Sequence, residues 1–501
     1  AFQNGDLAGA EAALGKAIKK AEAQGKNGQA DLSRLLNRQA AVYLAKSELD
    51  KAEPPAQKAL ELREKSLGKS HPDVAETLTT VGLIAQTKSD YPRAEKNYTR
   101  ALSIREEALK GDHICVAQSA NQLGNLYKDI AAYNKAEPLY EKALAIRRKA
   151  LGEEPPDTAA SYDNLASLYH ATGRYDKAEP LYQRALVIRE KAFGLDHPDV
   201  AVSLTHLALL YRVKGDYAKA EPLQQRVLAM LEKYLGPENS SVATALNNLA
   251  TINENLGNYP KAEALLQRAL AMREKTLGAE HKDVAGTLNN LAYLYDATGE
   301  YAKSEKFYQR ALMILEKQLG ANHPDVATAV SNFGSLYQKK GDYARAEELY
   351  QRALTAREKV LGANHPDVAL SLGNLSGLFQ DRGDYVKAEA LQHRALEILE
   401  RSLGAEHPDT ARTLNNLAAI YNDKGDYAQA ETLHQRALAI REKALGLEHP
   451  SVATSLNNLA FLYNDKKEFD KAVPLLKRAL AIWEKSLGAN HPDVALALNN
   501  L

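Results

Sequence analysis

From Ala453 to Gly488 the chain reads ATSLNNLAFLYNDKKEFDKAVPLLKRALAIWEKSLG, and its apolar residues fall into two stripes. Leu456, Leu459, Ala460 and Tyr463 recur at i, i+3, i+4 and i+7, which puts them on one face of a helix. A polar break, Asn464 to Glu468, separates them from Ala472, Leu475, Leu476, Ala479, Leu480 and Trp483, a second helical stripe. Leu487-Gly488 closes that stripe, glycine supplying the left-handed residue that favours a helix C-terminus. The pattern predicts a helix-turn-helix.

The unit recurs along the chain. LGANHPDVA begins at Leu319, Leu361 and Leu487, starts that differ by 42 and by three times 42 residues. Looser copies begin at Leu67, Leu109, Leu151, Phe193, Leu235, Leu277, Leu403 and Leu445, with no insertion or deletion between Leu67 and Leu487. A fixed period of this size marks a solenoid, in which each unit buries its apolar face against its neighbours. In HPDVA the proline falls in the first helical turn, where a missing N–H costs nothing, and the aspartate lies near the positive helix end. LG therefore stops one unit and HPDVA starts the next.

Columns read down the repeats predict the packing. Gly82, Gly124, Ala166, Ala208, Ala250, Ala292, Gly334, Ser376, Ala418 and Ala460 share one column, small enough for paired helices to approach to about 8–10 Å. Tyr43, Tyr127, Tyr169, Tyr211, Tyr295, Tyr337, Phe379, Tyr421 and Tyr463 share another, expected to pack between helices and not to stack nucleobases. Pro138, Pro180, Pro222 and Pro474 lie a few residues into second helices and are expected to loosen or bend the first turn.

The phrase NNLAxLYxxxGxYxxAExLYxRALxIxExxLGxxHPDVA, with its period of 42, resembles the tetratricopeptide (TPR) repeats of kinesin light chain. The resemblance covers essentially the whole chain. It implies an all-α, right-handed TPR superhelix, an α-solenoid of about eleven full repeats with partial repeats at both ends. The expected organisation is a partial repeat over 1–29, mainly a second helix, then eleven tandem repeats over 30–491, then the truncated start of another over 492–501. With no starting Met and no signal peptide before Ala1, the chain reads as processed or excised. Its ends fall inside repeats, so it is expected to be a window from a longer protein. End-to-end self-association into a filament, or simple fraying, are the alternatives.

Composition narrows the function. Lys plus Arg number 64 and Asp plus Glu number 64, which gives no general pull toward nucleic acid or an anionic membrane. Hydrophobic residues make up 45%, but always periodically, so no membrane insertion is expected. Cys115 is the one cysteine, which excludes an intramolecular disulfide and fits a reducing compartment. A cytoplasmic location is expected, with a mature extracellular chain after signal removal as the alternative.

Catalytic and metal chemistry find little support. His71, His113, His197, His281, His323, His365, His407, His449 and His491 share one column, but successive members stand about a repeat apart, too far to ligate one ion. They are expected to cap or pack the linkers. Cys115, in HICVA, is expected to be a buried helix-start residue and not a nucleophile. No GxSxG, Walker loop, HExxH or CxxC occurs. The recurring carboxylates read as a solvated helix face with local ion pairs. No enzyme activity, metal or cofactor is expected.

What remains is recognition. In the first helix the core takes Leu456, Leu459, Ala460 and Tyr463, leaving Asn457, Asn458, Phe461 and Asn464 for a concave groove. The second asparagine recurs as Asn164, Asn248, Asn290, Asn332, Asn374, Asn416, Asn458 and Asn500, and the first as Asn121, Asn247, Asn289, Asn415, Asn457 and Asn499. A carboxamide both donates and accepts, so a row of them can hold an extended peptide backbone without selecting a sequence. The resemblance to kinesin light chain, where groove asparagines clamp ligand backbone, implies that role for the matching positions; bridging between repeats is the other use open to them. A variable column reads Lys128, His170, Arg212, Glu254, Asp296, Gln338, Gln380, Asn422 and Asn464, with Asp381, Asp423 and Asp465 beside its end. A groove basic toward one end and acidic toward the other would orient a peptide. Tyr293 completes the candidate peptide-binding set. The expected function is a non-enzymatic scaffold that binds a peptide or partner domain, the alternatives being a filament subunit or the sensor arm of a larger effector.

Overall fold

The computed structural model describes residues 7–46, 48–109 and 111–501. Among them are 24 α-helices and one 3-10 turn, Gly25–Gly28, and no strand. First helices such as α4 (Pro72–Thr87), α12 (Ser240–Asn255) and α14 (Lys282–Ala297) have 16 residues. Second helices such as α5 (Tyr91–Leu109) and α13 (Tyr259–Leu277) have 19. The described residues begin on a second helix, α1 (Leu7–Ala23), and end with a first helix, α24 (Pro492–Asn500).

The histidine column explains the helix starts. Each member holds extended backbone at the N-cap, and its Nδ1 accepts the N–H two residues on: Asp73 to His71 at 3.2 Å, Asp325 to His323 at 3.1 Å, Ser451 to His449 at 2.9 Å. Asn239 does the same with its Oδ1 at 2.9 Å. A helix begins with orphan N–H groups, and this bond satisfies one of them. Cys115 departs from expectation by being half-buried. It sits in the aspartate column, with Ile114 in the proline column, and its N–H serves the His113 cap, so its side chain takes the outward direction of the aspartates. The second helices α7 (Tyr133–Leu151), α9 (Tyr175–Phe193), α11 (Tyr217–Leu235) and α23 (Phe469–Leu487) run unbroken through Pro138, Pro180, Pro222 and Pro474.

Complementary sizes set the pairing within a repeat. Where the small column is glycine, a tyrosine ring fills the space. A Cβ on Gly82 would meet the Tyr98 ring at 2.6 Å, and one on Gly124 would meet Tyr140 at 2.9 Å. Between repeats, the buried guanidinium groups of Arg63, Arg105, Arg147, Arg189, Arg273, Arg357 and Arg441 each bond a hydroxyl in the next first helix, fourteen positions on; Arg357 to Ser371 and Arg273 to Thr287 are both 2.7 Å. Where this column carries Leu231, Leu315 or Trp483, the opposing position is Ala245, Ala329 or Ala497.

Ion pairs on the second helices mostly join neighbouring repeats, which corrects the expectation of local pairs along one helix. Arg310 reaches Glu274 at 2.6 Å and Arg394 reaches Glu358 at 2.5 Å, both 36 positions back. The long arginine and lysine side chains span the space to the preceding second helix, so the opposite charge they meet is across the repeat boundary. Such exposed pairs contribute about 0.2–1 kcal/mol each. The tyrosine column packs between helices as expected and also ties repeats together. Tyr211 donates to Glu179 at 2.8 Å and Tyr463 to Glu431 at 2.9 Å, and Lys219 and Lys471 lie over those rings.

The packing resolves into two compact units, one ending at Leu165 and the other running from Ala166 to Leu501. Within the second, neighbouring first helices touch one another while neighbouring second helices do not approach comparably, so first helices line the inside of the bend. That bend brings distant repeats of the unit together. His449 Nε2 donates to the Val213 carbonyl, 236 positions earlier, at 2.8 Å. A Cβ on Gly173 would lie 3.0 Å from His407 and Pro408, and one on Gly215 would overlap Pro450.

Candidate functional site

The groove of the second unit is built from the side chains that first helices do not bury. The two asparagine columns occupy it differently in most repeats, although Asn332 and Asn500 of the second column bond back to the first. The first column turns toward the neighbouring repeat: Asn247 donates to Thr287 Oγ1 at 3.2 Å, and buried Asn415 donates to Ser455 Oγ at 2.8 Å while its Oδ1 accepts from His434. Asn289 accepts from Asn332 at 3.2 Å, and Asn457 accepts from Asn500 at 3.0 Å. In the first unit, turning the Asn121 amide so that its oxygen faces the surrounding donors lets it accept from Arg147 at 2.6 Å and from Asn164 at 3.2 Å. These amides bridge repeats.

In the second column Asn248, Asn290, Asn374 and Asn458 are half-buried and Asn416 is exposed. None of the five makes a side-chain hydrogen bond within the chain, in contrast to the five first-column asparagines described above. Asn248 and Asn290 line an open cleft of about 470 Å³ whose wall includes Thr244, Arg273 and Thr328. Arg273 Nη2 is held there by Thr244 at 3.0 Å, and burial lowers its pKa. The arginine column beneath the asparagines escaped the sequence reading. Its signal was that every Arg of the column has Ser or Thr fourteen positions on, while Leu231, Leu315 and Trp483 have Ala there and, from Arg63 onward, only Leu399, opposite Thr413, departs from the pairing.

The variable column lies along the groove about 9 Å from the second asparagines, six residues further down each helix. Gln338, Gln380 and Asn422 donate to Asp381, Asp423 and Asp465, each at 2.7 Å and 43 positions on, so the three aspartates at the acidic end are amide-bonded. At the other end of the second unit's column, burial lowers the pKa of Arg212 and His170 is half-buried; in the first unit, burial lowers the pKa of Lys128. Between them Asp296 is buried and bonded by Lys339 at 2.9 Å, and Glu254 is half-buried, its pKa pushed up to about 7 by burial. Tyr293 leaves 52% of its surface open.

Nothing in this arrangement gathers reacting groups. Among the described residues no three His, Cys, Asp or Glu side chains converge as metal ligands would, and no helix is long and apolar enough to cross a membrane. What the groove presents is five carboxamides unpaired within the chain, interrupted at Asn332, which bonds Asn289.

Comparison with known proteins agrees with the fold. Tetratricopeptide repeat family profiles match residues 31–107, 73–149, 157–233, 241–317, 283–359, 325–391 and 367–443, with further matches at 452–493 and 205–275. No curated protein sequence matches. Among solved structures, BtubC (BKLC) from P. vanneervenii is 24% identical over 46% of this chain and 93% of that one, with a TM-score of 0.40. The nearly identical TPR-like repeats of a protein assigned as a kinesin light chain in Podosopora anserina are 27% identical over 41% of this chain and 98% of that one, with a TM-score of 0.35. A Rap protein complexed with competence and sporulation factor is 14% identical over 74% of this chain and 98% of that one, with a TM-score of 0.51. The 42-residue helix pairs and the profile matches along the chain together make it a member of the tetratricopeptide repeat family, whose solenoids typically serve as protein-interaction scaffolds.

Proposed function

We propose that the chain is a non-enzymatic interaction scaffold whose groove holds an extended peptide by its backbone. The observation that carries this reading is the row of unpaired carboxamides, Asn248, Asn290, Asn374, Asn416 and Asn458, on consecutive or next-nearest first helices of one unit. Helices packed at about 8–10 Å present one amide per roughly three residues of extended chain, which rises about 3.3 Å per residue. Each of these five amides can accept a peptide N–H and donate to a peptide C=O, with a gap at Asn332, which bonds Asn289, so affinity comes from main chain and selectivity from the variable column. The solved Rap protein, a fold relative, is itself complexed with a factor, which fits a ligand-binding use of this architecture.

A peptide-array screen followed by a titration of the best binder tests it. Asn290→Ala with Asn416→Ala should weaken binding by about tenfold or more, each lost backbone hydrogen bond contributing about 0.5–1.5 kcal/mol. Unchanged affinity would remove the groove from the account.

A further inference from the structure

Positions 43 apart face each other along the groove, and the second unit pairs them repeatedly. Gln338 bonds Asp381, Gln380 bonds Asp423 and Asn422 bonds Asp465. Asp296 and Lys339 form the same rung with a full positive charge opposite the carboxylate, at 2.9 Å. For Glu254 the facing position is Ala297, which has no polar side-chain atom. Its Oε1 is buried without a hydrogen-bond partner, and so is Oδ1 of Asp296, a residue only 4% exposed. Buried acceptors are rarely left unpaired, because each has given up the water that bonded it before folding.

The two carboxyls belong to one place. Both act electrostatically on the hydroxyls of Tyr293 and Tyr308, and the Tyr293 ring stands half-exposed beside them. Lys339 satisfies one carboxyl, and no positive group counters the other, whose pKa is moved by burial alone. A gap in a ladder of paired groups, floored by a carboxyl and walled by an open aromatic ring, has the chemistry of a cation site.

We infer that Glu254, Asp296 and Tyr293 form a specificity pocket for one cationic side chain, lysine or arginine, of an extended peptide lying in the groove. This rests on the peptide-binding reading above. The incoming cation gives Glu254 what Lys339 gives Asp296, and an acidic side chain at that step is repelled.

The test uses three fluorescein-labelled decapeptides of Gly, Ser and Ala that differ in one central residue, Lys, Gln or Glu. n-Butylammonium chloride is added separately in thermal unfolding, against sodium chloride at equal ionic strength. The Lys peptide should bind the wild-type chain about tenfold tighter than the Glu peptide. Both Glu254→Gln and Ala297→Lys, the second supplying an internal cation at an exposed site, should erase that preference, while Asn416→Ala weakens all three peptides alike. n-Butylammonium should raise the unfolding midpoint of the wild-type chain and of neither pocket variant. Peptides bound without regard to charge, or a preference that survives both variants, overturn the pocket and leave the scaffold reading standing. If no peptide binds yet n-butylammonium stabilises only the wild-type chain, the pocket stands and the peptide reading falls. If neither probe responds, the pocket is overturned.

Discussion

At the scale of single residues, the histidines of the linkers carry the sharpest consequence. An Nδ1 that accepts a backbone N–H carries no proton, so the capping imidazole is neutral with its proton on Nε2. For His449 that proton goes to the Val213 carbonyl. Burial, the largest cause, lowers the pKa of both His407 and His449 from the usual value near 6.5. His434, bonded to Asn415, is lowered to about 4, by burial first and then by Arg441. Depressed folded-state values mean that the unfolded chain takes up protons first as pH falls. Stability from these groups is therefore complete above about pH 6.5 and declines below it, toward the lower folded-state values. Unfolding midpoints measured from pH 7.5 to 5 should fall, and His407→Asn with His449→Asn should flatten that slope, since Asn239 shows that asparagine serves as the same cap without titrating. A slope unchanged by the double variant would mean that other groups govern it.

At the scale of elements, the joint between one repeat and the next takes, from Arg63 onward, one of two solutions in every repeat but the one with Leu399 opposite Thr413. One is a buried arginine against a hydroxyl, as in Arg357 and Ser371; the other is Leu315 against Ala329. Ser371→Ala should cost about 1–3 kcal/mol, because it removes an acceptor from a buried cation. Arg357→Leu combined with Ser371→Ala should recover most of that loss, since replacing a buried charge by apolar packing is often neutral or better. A denaturation double-mutant cycle measures the coupling; additive losses would contradict it. This joint also shows how far the sequence could be read. Helices, turns and period were plain in the alternation of apolar and polar positions, and so were the two asparagine columns as positions on the first helices. Which way an asparagine turns was not, because a column records a position on the helix and not the neighbour it meets. Asn415 and Asn416 are adjacent in sequence, yet one is buried between repeats and the other is open. The orphan state of Glu254 was equally hidden, since it depends on what stands 43 residues away in the next helix.

At the scale of the whole molecule, a small rotation per repeat accumulates until distant linkers of the second unit meet. The offset of 236 residues between His449 and Val213 is no multiple of the sequence period, so periodicity alone does not announce it. Glycine is required where they meet: Gly215 has a φ of +68° and no room for a Cβ beside Pro450. Gly215→Ala should speed hydrogen exchange in both the 213–217 and 447–451 segments while helices elsewhere in the unit keep their protection. Acceleration in the first segment alone would show that the contact does not hold the second.

All of these features hold the first helices in place, so that a row of unpaired amides faces one groove. The most direct measurement of that arrangement is the NMR spectrum of the asparagine side-chain amides, selectively labelled with nitrogen-15, as the array-selected peptide is added. The account predicts that Asn248, Asn290, Asn374, Asn416 and Asn458 shift together at saturation while the repeat-bridging Asn247 and Asn415 stay in place. A bound peptide that leaves those five unmoved, or that moves only the bridging pair, would contradict it.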